Sequence, residues 1–186
     1  MIITDRNNIT TDELIRLALE AGFTSAGTLD MSSLVFREEV RAMCAADKCR
    51  SYGRSWSCPP AVGTLESISA RAAGFARGII VQTTGSMSSD FDYGSIQDTG
   101  TRHKHNFDTL VRQVRMLFAG CLPMGAGACT VCAKCSYPDR PCRHPNKMFP
   151  SMEAYGLLIS DVCSSSGLRY NYGPQTMTFT SCILID

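Results

Sequence analysis

Four things are missing from this 186-residue chain: an export signal, a membrane span, a surplus of either charge and a glycine-rich phosphate loop. No apolar run approaches the roughly 18 residues that a spanning helix needs. The opening segment, MIITDRNNIT, turns polar within a few residues and holds no signal-peptide core, so the expected compartment is the cytoplasm. Eighteen Lys and Arg against seventeen Asp and Glu leave a formal charge of +1. That balance aims no strong field at nucleic acid or at a membrane, and neither is expected as a partner. Neither G-x-S-x-G nor H-E-x-x-H occurs, and Gly125 and Gly127 form a lone G-x-G without the rest of a dinucleotide fingerprint. No familiar catalytic constellation stands out.

Cysteine is the excess. Ten occur, at positions 44, 49, 58, 121, 129, 132, 135, 142, 163 and 182. In a chain expected to sit among cytosolic reductants, so many thiols argue against a disulfide scaffold. The chain is also long enough to bury a core without covalent staples. Its apolar fraction of 44% is ordinary for a globular protein. Clustered thiols in that setting point to metal. The nine methionines show no ligand pattern and read as soft packing atoms.

The length suits one domain, residues 1–186, and helix and strand signals alternate along it without repeats. Thr10 and Glu13 form a capping-box pattern before Leu14, Leu17, Ala18 and Ala21 at helical spacing, with Gly22 as the stop. A strand is expected over 23–29, then a helix over 33–43 that buries Leu34, Phe36, Val40 and Met43. Residues 44–63, with three cysteines, Gly53, Gly63 and Pro59–Pro60, read as a loop. Thr64 caps a helix carrying Leu65, Ile68, Ala72 and Phe75, and a β-branched strand follows at 79–84. Residues 85–101 read as a surface loop. Phe107, Leu110, Val111, Val114, Leu117 and Phe118 mark the clearest amphipathic helix, with Arg102-His103-Lys104-His105 as its basic entrance rather than a metal site. A strand over 121–128 feeds a second cysteine loop, 129–149. A helix from Ser151 through Leu158, Ile159 and Val162 to Gly167, and strands near 168–172 and 179–185, complete the pattern. The expected fold class is α/β or α+β, a single-domain sandwich of helices around one central sheet with two cysteine-rich loops.

In the second loop, Cys129, Cys132 and Cys135 follow C-x2-C-x2-C, and Cys142 comes after six more residues. A thiolate at every third residue lets a tight turn wrap a cuboidal cluster while backbone N–H groups face its sulfides. A tetrahedral zinc takes one C-x2-C knuckle but draws its other pair from a distant second one. The spacing favours a [4Fe–4S] cluster, with zinc and unliganded redox thiols as the alternatives. The first loop, Cys44, Cys49 and Cys58 with Pro59 after it, is less regular. These three could ligate a second cluster, with one iron left open or taken by Cys121, Cys163 or Cys182; the bland alternative is ordinary buried cysteine. Cys163 and Cys182 lie on apolar patterns and read as core. Arg54, Arg140 and Arg143 are candidates for holding a cofactor or offsetting the charge of a thiolate-bound cluster, against a reading as solvated loop residues.

The run Cys49-Arg-Ser-Tyr-Gly-Arg-Ser-Trp-Ser-Cys58-Pro-Pro, the second cysteine loop, and the stretch from Pro141-Cys142-Arg143-His144-Pro145 through Phe149-Pro-Ser-Met-Glu-Ala-Tyr-Gly156 together resemble the cysteine-rich proteins of domain of unknown function 2284. The likeness runs from the helix at Asp12 to the final strand. It implies metal binding, with Cys49, Cys58, Cys129, Cys132, Cys135 and Cys142 at the family's cysteine positions and Cys44 among them. It supplies no activity. The expectation is therefore a metal-binding protein with one [4Fe–4S] cluster, or two, passing electrons to or from a redox partner protein. The alternatives are a cluster-dependent enzyme with an open iron or docked cofactor, and a structural zinc module for protein interaction.

Overall fold

The computed structural model describes residues 9–89 and 91–186. Four strands form one sheet in the order β1-β2-β4-β3, antiparallel throughout: β1 (Ser25–Thr28), β2 (Arg77–Ser86), β3 (Cys121–Met124) and β4 (Thr176–Ile185). The central pair β2–β4 runs in register from Arg77 opposite Ile185 to Ser86 opposite Thr176. Strand side chains alternate between faces, and here each face is covered. Ile79, Val81, Ile183 and Ile185 pack on Leu14 and Ala18 of α1 (Thr11–Glu20) and on Phe107, Leu110 and Val114 of α4 (Tyr93–Leu117). Ile80, Cys182, Leu184 and Leu122 face the other way, onto Leu65 and Ile68 of α3 (Leu65–Ala72) and Val162 and Cys163 of α5 (Ile159–Ser165). Burial on both faces explains why these strands read as continuous apolar runs. The result is a mixed α/β sandwich of helices around one sheet, as the sequence predicts. Among the described residues, no helix is long and apolar enough to cross a membrane.

The capping box of α1 forms in full: the Glu13 N–H donates to Thr10 Oγ1 at 3.2 Å, and the Thr10 N–H donates to Glu13 Oε2 at 2.9 Å. Other boundaries move. Helix α2 is Glu38–Ala45, preceded by a short 3-10 turn at Met31–Ser33, and Met43 is exposed rather than buried. The expected loop over 85–101 is largely helix, because α4 begins at Tyr93. Asp92 caps it by accepting the Ser95 N–H at 3.0 Å. Close packing on the sheet makes this helix possible despite its serines and glycines: a Cβ on Gly85 of β2 would lie 2.0 Å from Thr99 Oγ1. His103 therefore sits mid-helix and fully buried, bonded to Thr83 Oγ1 at 2.9 Å and Ser181 Oγ at 2.8 Å, and is no helix entrance.

Strand β3 stops at Met124, four residues short of the expectation. Beyond it, Gly125 bridges in parallel to Ser151 and the chain turns away. The helix expected from Ser151 is broken: a 3-10 turn at Glu153–Tyr155 ends on Gly156 at φ +81°, and α5 starts only at Ile159. At Gly156 a Cβ would meet the Arg37 carbonyl at 2.8 Å, so the left-handed turn lies in close contact with the residue that leads into α2. Residues 168–172 form no strand. Side chains tie them down, with Gln82 Nε2 donating to the Arg169 carbonyl at 2.9 Å and Tyr172 Oη to Gln82 Oε1 at 2.8 Å.

Candidate metal centre

The second cysteine loop leaves the sheet at Gly125 and returns at Ser151. Cys129, Cys132, Cys135 and Cys142 all line one small cavity, together with Ser55, Arg143 and His144. Backbone and hydroxyl donors converge on Cys135. Partial burial pushes its thiol up, but hydrogen bonds from the N–H groups of Tyr137, Trp56 and Ser136 and from the Ser55 hydroxyl outweigh it, and the thiol titrates below its ordinary value. Cys129 goes the other way: burial raises it first, the neighbouring Cys142 and Cys132 add to this, and the Val131 N–H and Lys104 oppose. Among the described residues, no three His, Cys, Asp or Glu side chains converge closely enough to hold a single metal ion. The thiols border a common space rather than a point.

The first loop joins this wall. Trp56 Nε1 donates to the Arg140 carbonyl at 3.0 Å, and its ring meets Tyr137 edge-on at 4.9 Å between centroids. Ser57, fully buried, accepts the Cys129 N–H at 3.0 Å through its hydroxyl oxygen, which lies 3.0 Å from Ser55 Oγ and 3.7 Å from Cys58 Sγ. The two cysteine loops therefore meet in space, with Ser55–Cys58 between their thiol sets.

Cys44, Cys49 and Cys58 line a second cavity of about 300 Å³, with Lys48, Tyr52 and Glu153. Cys44, in the last turn of α2, points its Sγ toward the Glu153 carbonyl at 3.8 Å. Burial raises the thiols of Cys44 and Cys58, and the mutual charges of this group and of Glu153 raise Cys44 further. The distant thiols lie elsewhere. Cys163 and Cys182 are buried in the core, the latter pushed up to about 12 by complete burial, and Cys121 is on the edge strand β3. None of the three lines either thiol cavity.

The arginines divide. Arg143 lines the four-thiol cavity and donates from Nη2 to the Lys134 carbonyl. Arg140 lies on the outer side of Cys142, in a separate surface recess with Trp56. Arg54 is mostly exposed and pairs with Asp47 at 3.0 Å, lining neither thiol cavity. Sequence reasoning missed Lys104, Ser55, Ser57 and Glu153. Lys104 is half-buried, donates to the Ala128 carbonyl at 2.7 Å, and is lowered by burial while Cys129 and Cys58 pull it back up. It also lines a third cavity of about 250 Å³ with His105, Asp108, Lys147 and Cys129. No spacing rule points to these residues: Ser55 and Ser57 lie in the first cysteine loop itself, while the packing of α4 brings Lys104, and the turn after Ser151 brings Glu153, to the thiols.

Fold and site together define a cysteine-rich α/β protein with seven of its ten free thiols gathered along two adjoining cavities. Residues 27–185 match the family model described as a predicted metal-binding protein, DUF2284, and the chain belongs to that family. The match begins after α1, later than the likeness at Asp12 suggests. No curated protein and no solved structure matches the chain.

Proposed function

We propose that the chain holds a [4Fe–4S] cluster on Cys129, Cys132, Cys135 and Cys142 and serves as an electron carrier for a redox partner protein in a reducing compartment. One observation carries this: four thiols of one loop border a single cavity. That is the donor set a cuboidal cluster uses, with irons on separate corners and amides toward its sulfur. When bound, such a cluster supplies a one-electron couple. The chain's own residues do the rest. Arg143 beside the thiols offsets their charge, Trp56 against Tyr137 braces the loop, and Ser57 fixes the Cys129 backbone. Cys44, Cys49 and Cys58 offer a second metal site in the adjoining cavity.

A cluster-dependent enzyme is the second reading, favoured by the roughly 250 Å³ cavity that Cys129 shares with Lys104, His105 and Asp108. The deciding measurement is iron, acid-labile sulfide and zinc per chain after purification without oxygen, beside the visible spectrum. About four irons and four sulfides, lost in the Cys132→Ala variant, is the expected result. Stoichiometric zinc without sulfide would overturn the redox reading in favour of a structural module.

A further inference from the structure

We propose that Glu153 is the fourth protein ligand of a second [4Fe–4S] cluster whose other three ligands are Cys44, Cys49 and Cys58, an inference that rests on the cluster reading above. Three cysteines between positions 44 and 58 leave one corner of a cubane without a thiolate, and no other thiol lines their cavity. Glu153 does line it. Its Oε2 is buried and accepts no hydrogen bond among the described residues. A carboxylate oxygen withheld from water is costly unless a donor, a cation or a metal satisfies it. Neither Lys48, which shares the cavity, nor Arg41 of α2 forms an ion pair with Glu153 among the described residues. Arg41 Nη2 is given to the Gly63 carbonyl instead.

The backbone presents this side chain from a fixed place. Glu153 opens the 3-10 turn, the Ala154 N–H donates to Ser151 Oγ at 3.1 Å, and the Gly156 N–H donates to the Glu153 carbonyl at 2.8 Å. That same carbonyl faces Cys44 Sγ at 3.8 Å, so the turn and the end of α2 are docked on each other. Cys121, Cys163 and Cys182 cannot supply the missing ligand from the edge strand and the core without breaking the fold.

An oxygen ligand holds iron in a sulfide cluster less firmly than a thiolate does, because it is the harder donor. The corner facing Glu153 is thus the exchangeable one. Oxidation by ferricyanide, which takes one electron, should convert [4Fe–4S]2+ to [3Fe–4S]+ with release of that iron as Fe2+.

The test uses the full chain, reconstituted anaerobically with ferrous iron and sulfide. The Cys132→Ala variant removes the first cluster, so that the remaining signal belongs to the second. Wild type should hold about eight irons and the Cys132→Ala chain about four. Ferricyanide should then raise the electron paramagnetic signal of a three-iron cluster in the Cys132→Ala chain. Adding E153C should abolish that conversion while keeping the iron. Adding E153Q should lose iron on desalting and shift the midpoint potential of what remains. If E153Q and E153C match their parent in iron, ferricyanide response and potential, Glu153 is no ligand. About four irons in wild type, all lost in Cys132→Ala, would overturn this inference while leaving the first cluster standing. Zinc without sulfide would overturn both. Should E153Q fail to fold, E153C decides alone.

Discussion

Acidification from pH 7 to pH 5 should cost the native state about 2 kcal/mol through His103 alone. The ring is fully buried, with both nitrogens taken by the hydroxyls of Thr83 and Ser181. Phe23, Phe107 and Phe179 surround it at centroid distances of 5.3, 6.3 and 6.1 Å. Burial first, and the Lys104 charge second, lower its pKa from 6.5 to about 3. Between those two values the unfolded chain carries a proton that the folded chain refuses, so stability rises with pH across the window. Well inside it the slope approaches about 1.4 kcal/mol per pH unit, and it flattens near 6.5. Integrated from 7 down to 5, the loss comes to roughly 2 kcal/mol. Urea titrations of the metal-free, thiol-reduced chain at pH 7, 6 and 5 would read it, with His103→Gln alongside. Carboxylate contributions are common to both proteins and cancel in the difference. Wild type should lose stability faster than the variant by that amount. Equal losses would show that the buried ring accepts its proton, and the argument from burial would fail.

Ser57→Ala leaves the Cys129 N–H without its acceptor inside the wall between the loops. It should lower stability by about 1–3 kcal/mol in thermal melts, and a loss of under about 0.5 kcal/mol would mean that water or a rearranged loop satisfies the amide. Gly85→Ala places a methyl 2.0 Å from Thr99 Oγ1 and should destabilise by about 1–3 kcal/mol. Adding Thr99→Ala removes the clashing atoms and should recover most of that loss; a double variant no more stable than the single one would refute the contact as the cause.

The parts of the fold legible in the sequence are those where local chemistry and burial agree. The Thr10–Glu13 capping box and the run Ile79–Thr84 are of this kind, because each needs only near neighbours or a covered sheet. The first half of α4 was illegible for the opposite reason. Ser95, Thr99 and Gly100 are poor helix formers, and the helix persists where Gly85 lets it lie close against β2. Likewise Gly156 breaks the expected helix after Ser151 where the Arg37 backbone, just ahead of α2, packs against it, a contact no local pattern encodes. The site splits along the same line. Spacing groups the thiols by loop, and the structure sets each group along its own cavity. Glu153 reaches the first of those cavities from the turn after Ser151, and Lys104 reaches Cys129 from α4 in a third cavity; their neighbours in sequence give no hint of it.

A single bridge organises both cavities. The Gly125 N–H donates to the Pro150 carbonyl at 2.7 Å, and the Met152 N–H donates back to the Gly125 carbonyl at 3.1 Å. The whole second cysteine loop is thereby an excursion pinched shut at its base, beside the edge strand. A loop closed in this way needs little regular structure of its own to hold its thiols near one another, since its closure entropy is met by the sheet. The residue after Met152 is Glu153, which meets Cys44 in the first cavity. The outgoing side of the bridge leads to Gly127 and Ala128, which line that same cavity, and then to Cys129, which lines the other. Two loops more than sixty residues apart in sequence are thus positioned by one pair of backbone hydrogen bonds, one buried serine and the contacts of Trp56 with Arg140 and Tyr137. Disturbing that base should loosen both thiol sets together, whereas a change within either loop should be felt mainly by its own.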